Sequence, residues 1–352
     1  MQPRDRNAKC CPVVNEILHA LSLLAEQVGG TLALSLQPAP STYGCARRRC
    51  IAINQVRRFH MKTIGVIGLG NMGRGMALSL QRGGFEVVGT DASATTRATL
   101  AAEGVPVVDS IKDVVAKSDA IVLSLPTAAI VAQVVAGADG LLSHPKAGVL
   151  VIETSTSHPD TTRQLAAQLA SVGMSLIDAP VSGGPKGALA GTMTMVIGGS
   201  DEDVARAEPV LMAMSAKRVH VGGVGAGHVA KIANNLLCAA HLAIAGEVTR
   251  LAEKAGVPTE RLLSGVNAGS GRSFVTEFNF PTWVSSGKFD SGFTMKLMRK
   301  DVRLSQELIG ALDIDLPLSR KVADLWAVSA ETIADDEDFN RIVELGAART
   351  KA

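Results

Sequence analysis

A chain of 352 residues is long enough for two domains and a large core. It is 47% hydrophobic, 19% charged and 3% aromatic, the composition of a soluble globular protein, and a net charge of +2 gives no argument for nucleic acid as a partner. The charge is uneven: residues 1–60 carry 8 Lys+Arg against 3 Asp+Glu, which leaves the rest of the chain at 27 against 30 and slightly acidic.

Residues 1–60 read differently from the rest of the chain. Cys10, Cys11, Cys45 and Cys50 lie there at no spacing typical of a zinc site, and the histidines form no metal pattern either, so no metal is expected. The apolar run 17–25 is too short to span a membrane. Arg47-Arg48-Arg49 and Arg57-Arg58 suit a transit peptide or a nucleic-acid arm, but Met61-Lys62, immediately before a strong strand, reads as a natural start. The expectation is a disordered or artefactual leader over 1–60. Only Cys238 lies beyond it, so nothing suggests disulfides and a reducing cytoplasm fits.

Thr63–Ile67 is a short apolar run, read as a buried strand. It runs into Gly68-Leu69-Gly70-Asn71-Met72-Gly73 and then a helix over 74–82. A strand, G-x-G-x-x-G and a helix form the dinucleotide fingerprint in its required context. Gly68 allows the tight turn, Gly70 leaves room for a pyrophosphate, and Gly73 lets helix and strand pack closely. The helix N-terminus offers free N–H groups to the phosphates. The next strand, 85–90, ends at Asp91, 18 residues past Gly73. A carboxylate there bonds the ribose hydroxyls and repels a 2′-phosphate, which predicts NAD in preference to NADP. Arg97 lies too far along the next helix to reverse that.

Strand patterns recur at 119–125, 149–154 and 174–178, alternating with helical stretches. This predicts a Rossmann-type, doubly wound, mostly parallel α/β sheet, with ligands at the carboxyl ends of the strands. Leu125-Pro126-Thr127, Thr156 and the loop after Asp178 would then surround one crevice. In that loop Ser182, Gly183 and Gly184 offer a hydroxyl and exposed N–H groups, either a nest for a carboxylate or an ordinary Gly/Pro turn. The segment 191–198 alternates like a half-buried strand.

Gly225-Ala-Gly-His-Val-Ala-Lys-Ile-Ala-Asn-Asn235 opens a long helical pattern running to about Ala255. Gly225 and Gly227 are read as the turn into the helix. Lys231 and Asn235 share one face a single turn apart. The helix is apolar nearly all round, which predicts burial. A lysine there either lines a polar cavity with a lowered pKa, suited to acid–base chemistry, or snorkels to water. His228 and His241 read as core or helix-surface residues. Further helices are expected at 260–267, 274–281, 295–312 and 319–331, with no strand after about 222. The organisation is a leader over 1–60, a nucleotide-binding domain over 61–222 and an all-helical substrate and oligomerisation domain over 223–352. The long apolar helix is expected to pack across a subunit interface.

Together these motifs resemble the β-hydroxyacid dehydrogenase family, typified by 3-hydroxyisobutyrate dehydrogenase and tartronate semialdehyde reductase. The carriers are the 68–73 loop, Asp-Ala-Pro-Val-Ser-Gly-Gly at 178–184, the 225–235 stretch and Lys300-Asp301. The resemblance implies Lys231 as acid–base and Asn235 as the group orienting substrate. It puts Ser182, Gly183 and Gly184 on the substrate carboxylate, Thr156 by the nicotinamide ribose, and Lys300 closing over cofactor and substrate. It implies a homodimer or homotetramer acting on a small carboxylate, either a 3-hydroxy acid or, in the reductase alternative, 2-hydroxy-3-oxopropionate. A non-catalytic NAD-binding protein is the rival from another class, and the presence of Lys231 argues against it. Two departures stand near the site. Ser157 takes the family's usual isoleucine, and Arg272 takes a place often small or polar, either to bind a second anionic group or as a solvated helix-end residue.

Overall fold

The computed structural model describes residues 61–346, so the leader's cysteines and arginine clusters lie outside the described residues. Five strands build the body of one sheet: β1 (Thr63–Ile67), β2 (Glu86–Thr90), β3 (Ala120–Leu123), β4 (Leu150–Glu153) and β5 (Ser175–Asp178). They are parallel in the order β2-β1-β3-β4-β5, and the direction of winding reverses between β1 and β3. Their near-continuous burial follows from helices covering both faces.

One face is covered by α1 (Asn71–Arg82) and α7 (Asp201–Met214), whose Met76, Leu80, Leu211 and Met214 meet Ile64, Val66, Ile152 and Ile177. The other carries α3 (Ile111–Lys117), α4 (Ala128–Ala136) and α5 (Pro159–Ser171), through Val114, Val131, Leu165 and Leu169 against Ile121, Leu123, Val151 and Leu176. Short hydroxyls start three of these helices: Ser110 and Thr127 cap α3 and α4, and Ser200 caps α7.

Beyond β5 the sheet is no longer parallel throughout. The two-residue strand β6 (Val181–Ser182) and β7 (Met193–Gly198) pair antiparallel, as do β5 and β7, while β8 (Ser215–Gly222) runs parallel to β7. The hairpin is forced by sequence. Only α6 (Gly184–Ala190) separates β6 from β7, too little chain for a parallel crossover.

From residue 226 the described chain is helical, joined with the sheet half in one compact unit. The helix α8 (Ala226–Lys254) spans 29 residues and packs with α10 (Met295–Ala311) and α11 (Pro317–Val328). Their core holds Ala239, Leu242, Phe280, Met295, Met298, Val302 and Trp326. The stretch expected as a helix at 274–281 is a π-helix over Val275–Val284 with Pro281 inside it. A proline has no N–H to give an α-helical bond, and the wider winding accommodates it.

The expectation that α8 is buried all round fails. Its inner face is buried, but Leu237, Ile244 and Leu251, seven residues apart, are 58%, 53% and 69% exposed. By length and composition alone α8 would also suit a membrane. Here its inner face is a protein core, with Gly246 held against the backbone of Val343.

Trp326 has no exposed surface and donates from Nε1 to the Ala239 carbonyl across α8 and α11. Trp326→Ala is expected to cost about 3–5 kcal/mol through the cavity it leaves, read as a lowered urea midpoint.

Candidate active site

The Gly-rich turn is built as a dinucleotide cradle. Gly68 has φ +92°, a left-handed turn, and its amide bonds the Thr90 carbonyl at 3.0 Å. A Cβ on Gly73 would come 1.8 Å from the Gly68 carbonyl, so the close packing of α1 on β1 admits no side chain there. A Cβ on Gly70 would meet nothing within 4 Å, and no side chain caps α1 at that end. The first N–H groups of α1, on Asn71, Met72 and Gly73, thus begin beside open space, as a pyrophosphate requires.

Asp91, just past β2, binds this turn directly. Its Oδ2 accepts from the Leu69 amide at 2.7 Å and its Oδ1 from the Ser93 amide at 2.8 Å. Leu125, past the end of β3, closes the other side. Its amide donates to Ser155 Oγ at 3.1 Å, and its Cδ2 would touch a Cβ on Gly68. Pro126 and Thr127 come next on the exposed rim, where the Thr127 hydroxyl also caps α4. Thr156 is half-buried and makes no hydrogen bond among the described residues, so its hydroxyl stays available.

The second cluster centres on Lys231. It is 8% exposed, and its Nζ donates to Ser182 Oγ at 2.9 Å, so it does not snorkel to water. Burial lowers its pKa below the ordinary 10.5, opposed by the nearby Asp301 and Cys238 and assisted by Lys300. Ser182 is fixed by pairing with Thr194 of β7, and Gly183 and Gly184 come after it in left-handed conformations, φ +125° and +62°. One turn beyond Lys231, Asn235 donates from Nδ2 to Asp301 Oδ2 at 2.6 Å. Lys300 Nζ lies 3.1 Å from Asp301 Oδ1. A lysine, a serine, an asparagine and a second lysine thus converge from three segments far apart in sequence. Cys238 lies two turns past Lys231, and burial pushes its thiol up to about 11, leaving it protonated.

Residues 63–223 match the family described as the NAD binding domain of 6-phosphogluconate dehydrogenase. Residues 225–346 match the family described as the NAD-binding domain of NADP-dependent 3-hydroxyisobutyrate dehydrogenase. The 2-(hydroxymethyl)glutarate dehydrogenase of Eubacterium barkeri is 35% identical over 282 residues, 80% of this chain and 94% of that one. A probable 3-hydroxyisobutyrate dehydrogenase of Mycobacterium tuberculosis is 35% identical over 83% of this chain and all of its own length. A solved structure of Mycobacterium tuberculosis 3-hydroxyisobutyrate dehydrogenase with L-serine superposes with a TM-score of 0.77 at 34% identity, covering 82% of this chain and 100% of that one.

The chain belongs to the β-hydroxyacid dehydrogenase family. It is an NAD-binding oxidoreductase of the hydroxyacid dehydrogenase type.

At two positions the structure changes the reading of the sequence, and at a third, Arg272, it selects between the two readings offered. Gly227 does not make the turn into α8. It is already helical, and a Cβ there would lie 2.6 Å from the Val196 carbonyl and 2.8 Å from Asp178 Oδ2, so its role is close approach. The turn is made by Gly225, at φ +89°. Arg97 is nearer the cradle than its sequence position suggested, with Nη1 on the Asp91 carbonyl at 2.6 Å and Nη2 on Asp109 at 3.1 Å. Arg272 is exposed and faces Glu277 at 3.7 Å, the solvated alternative.

Sequence reasoning also missed a role for Asp301, which ties Asn235 to Lys300. Its place beside Lys300 was the only signal. It gave Glu153 no role, and it read His228 only as a core or helix-surface residue; His228 is fully buried. Among the described residues no three His, Cys, Asp or Glu side chains converge as a metal site would need.

Asp91, the residue expected from the sequence to favour NAD over NADP, stands against the Gly-rich turn with the Arg97 guanidinium alongside. Asp91→Ser is expected to raise kcat/KM with NADP at least about tenfold and to lower it with NAD, because one repulsive charge is removed and Arg97 remains to meet a phosphate. Initial rates with both cofactors measure it.

Proposed function

We propose that this chain is an NAD-dependent, 3-hydroxyisobutyrate dehydrogenase-like enzyme that interconverts a small 3-hydroxy acid and its semialdehyde, with Lys231 as the acid–base. The observation that carries the reading is the buried Lys231 ammonium within 2.9 Å of Ser182 Oγ, on the helix face it shares with Asn235.

The residues divide the work. The 68–73 turn and Asp91 hold the dinucleotide, with Leu125, Pro126, Thr127 and Thr156 along its edge. Ser182 and the amides of Gly183 and Gly184 hold the substrate carboxylate, and Asn235, itself fixed by Asp301, orients the reacting hydroxyl. Lys300 neutralises charge where the helical half covers the site. NAD, when bound there, would supply the hydride acceptor. In the oxidation, neutral Lys231 Nζ takes the hydroxyl proton, and in the reduction the ammonium returns it to the carbonyl oxygen. Burial serves both directions by bringing the lysine pKa down toward working pH. The Eubacterium barkeri relative's name describes a substrate with two carboxylates, so the substrate panel should include doubly anionic hydroxy acids beside 3-hydroxyisobutyrate, glycerate and serine.

The exposed stripe of Leu237, Ile244 and Leu251 supports a homodimer or homotetramer assembled through α8. Among the described residues Cys238 is a free thiol, which supports placement in the cytoplasm.

Two measurements test the reading. For the oxidation, kcat is expected to rise with pH and level off with an apparent pKa below lysine's ordinary 10.5, because the base must be neutral. Lys231→Ala is expected to abolish that limb and lower kcat by about 10²–10⁴-fold while NADH affinity stays within a few-fold; near-normal turnover would refute the mechanism. Leu237→Asp combined with Leu251→Asp is expected to convert the assembly to monomers by sedimentation, and an unchanged sedimentation coefficient would place the interface elsewhere.

A further inference from the structure

Beneath the site lies a buried polar cluster that the proposed chemistry does not use. Glu153 ends β4 and Asp178 ends β5, side by side in the sheet register. Glu153, Asp178 and His228 have no exposed surface. Glu153 Oε2 lies 3.2 Å from His228 Nε2 and accepts from Thr162 Oγ1 at 3.0 Å, and its Oε1 accepts from the Ser157 hydroxyl. Asp178 accepts the amides of Gly225 at 2.6 Å and His228 at 2.8 Å. Neither ring nitrogen of His228 has an aligned hydrogen bond, and the polar group nearest its Nε2 is the Glu153 carboxylate at 3.2 Å.

The sequence neighbours of these groups give the cluster its meaning. Ser157 comes directly after Thr156, on the nicotinamide side of the site. His228 precedes Lys231 by three residues, so both project from the same face of α8. Ser157, which stood out as a departure from the family pattern, does not point at the ligand. It is fully buried on Glu153. One carboxylate therefore grips both the Thr156 loop and the first turn of the lysine helix.

We propose that Glu153 and His228 are positioning residues that fix the spacing between the Thr156 loop and Lys231, with Ser157 as the tie to the loop. The pair sets where the acid–base stands relative to the hydride acceptor, and touches neither ligand. An uncompensated buried carboxylate is costly, so the contact is held firmly once formed. Loss of the ring leaves Asp178, through the amides of Gly225 and His228, as the carboxylate contact at the first turn of α8. The cofactor cradle at 68–73 is untouched, because it stands on β1 and α1.

The inference rests on Lys231 as the acid–base, and Lys231→Ala is the control that separates the two. The experiment compares kcat, substrate KM and NADH affinity in His228→Ala, His228→Gln and Ser157→Ala, with kcat normalised to NADH-binding sites. His228→Ala is expected to lower kcat about 10- to 100-fold, the cost of a small misplacement, with NADH affinity within about two-fold of the parent enzyme. His228→Gln places an amide N–H near the Nε2 position and is expected to recover most of that kcat. Ser157→Ala removes one hydroxyl and is expected to lower kcat about three- to ten-fold, and it decides the matter if His228→Ala does not fold. Parental kcat in both alanine variants overturns the proposal. So does a kcat loss matched by an equal loss of NADH affinity, or one that glutamine does not repair, since either marks general structural damage. An active Lys231→Ala enzyme would instead remove the acid–base reading itself.

Discussion

Asp178 is a carboxylate without solvent, and the geometry of the site depends on what it accepts. Its two oxygens take the amides of Gly225 and His228, the first turn of α8, at the carboxyl end of the sheet. Burial pushes its pKa up, and the two amides, the nearby imidazole and the positive end of a 29-residue helix act against that push. The backbone must come very close for this to work. Cβ atoms on Gly198 and Gly227 would each lie under 3 Å from an Asp178 oxygen. The joint between sheet and helix is thus a charge–amide contact with no room for side chains.

That joint sets the positions of the reactive groups. Lys231 and Asn235 are placed by the helical repeat counted from residue 225. Ser182 comes to Lys231 because β6 pairs with β7, and β7 lies against the start of α8. Asp301 and Lys300 arrive from α10, whose apolar face, Met295, Met298 and Val302, packs in the same core as Ala239 and Leu242 of α8. A helix with one end in the sheet and its length in the helical core brings both halves to a single lysine.

The sequence was most legible where chemistry acts over short range. The glycine turn, the acidic residue after β2 and the alternation of strands and helices could be read directly, since each needs only neighbouring residues to declare itself. Lys231 and Asn235 declared themselves as polar side chains in an apolar helix. The contacts that escaped join distant segments. Glu153 and His228 are 75 residues apart, and neither carries a local pattern that names the other. Ser157 stood out only as a departure near the site, because its partner, Glu153, becomes visible only when the structure is in hand. The apolar surface of α8 was legible as an expected subunit contact, but composition all round a helix does not say which residues face its own chain and which, as Leu237, Ile244 and Leu251 do, stay exposed.

The glycines of the nucleotide turn differ in what they answer to. Gly73 faces the chain's own backbone, so the protein itself forbids any replacement there. Gly70 faces nothing in the protein, and a side chain at that position would leave the packing undisturbed. The fold therefore places no steric constraint on position 70, whereas a dinucleotide lying in the turn would. A lineage that lost the need for a dinucleotide would be free to drift at 70 while still keeping glycine at 73, and the two positions together would record whether cofactor binding had been retained.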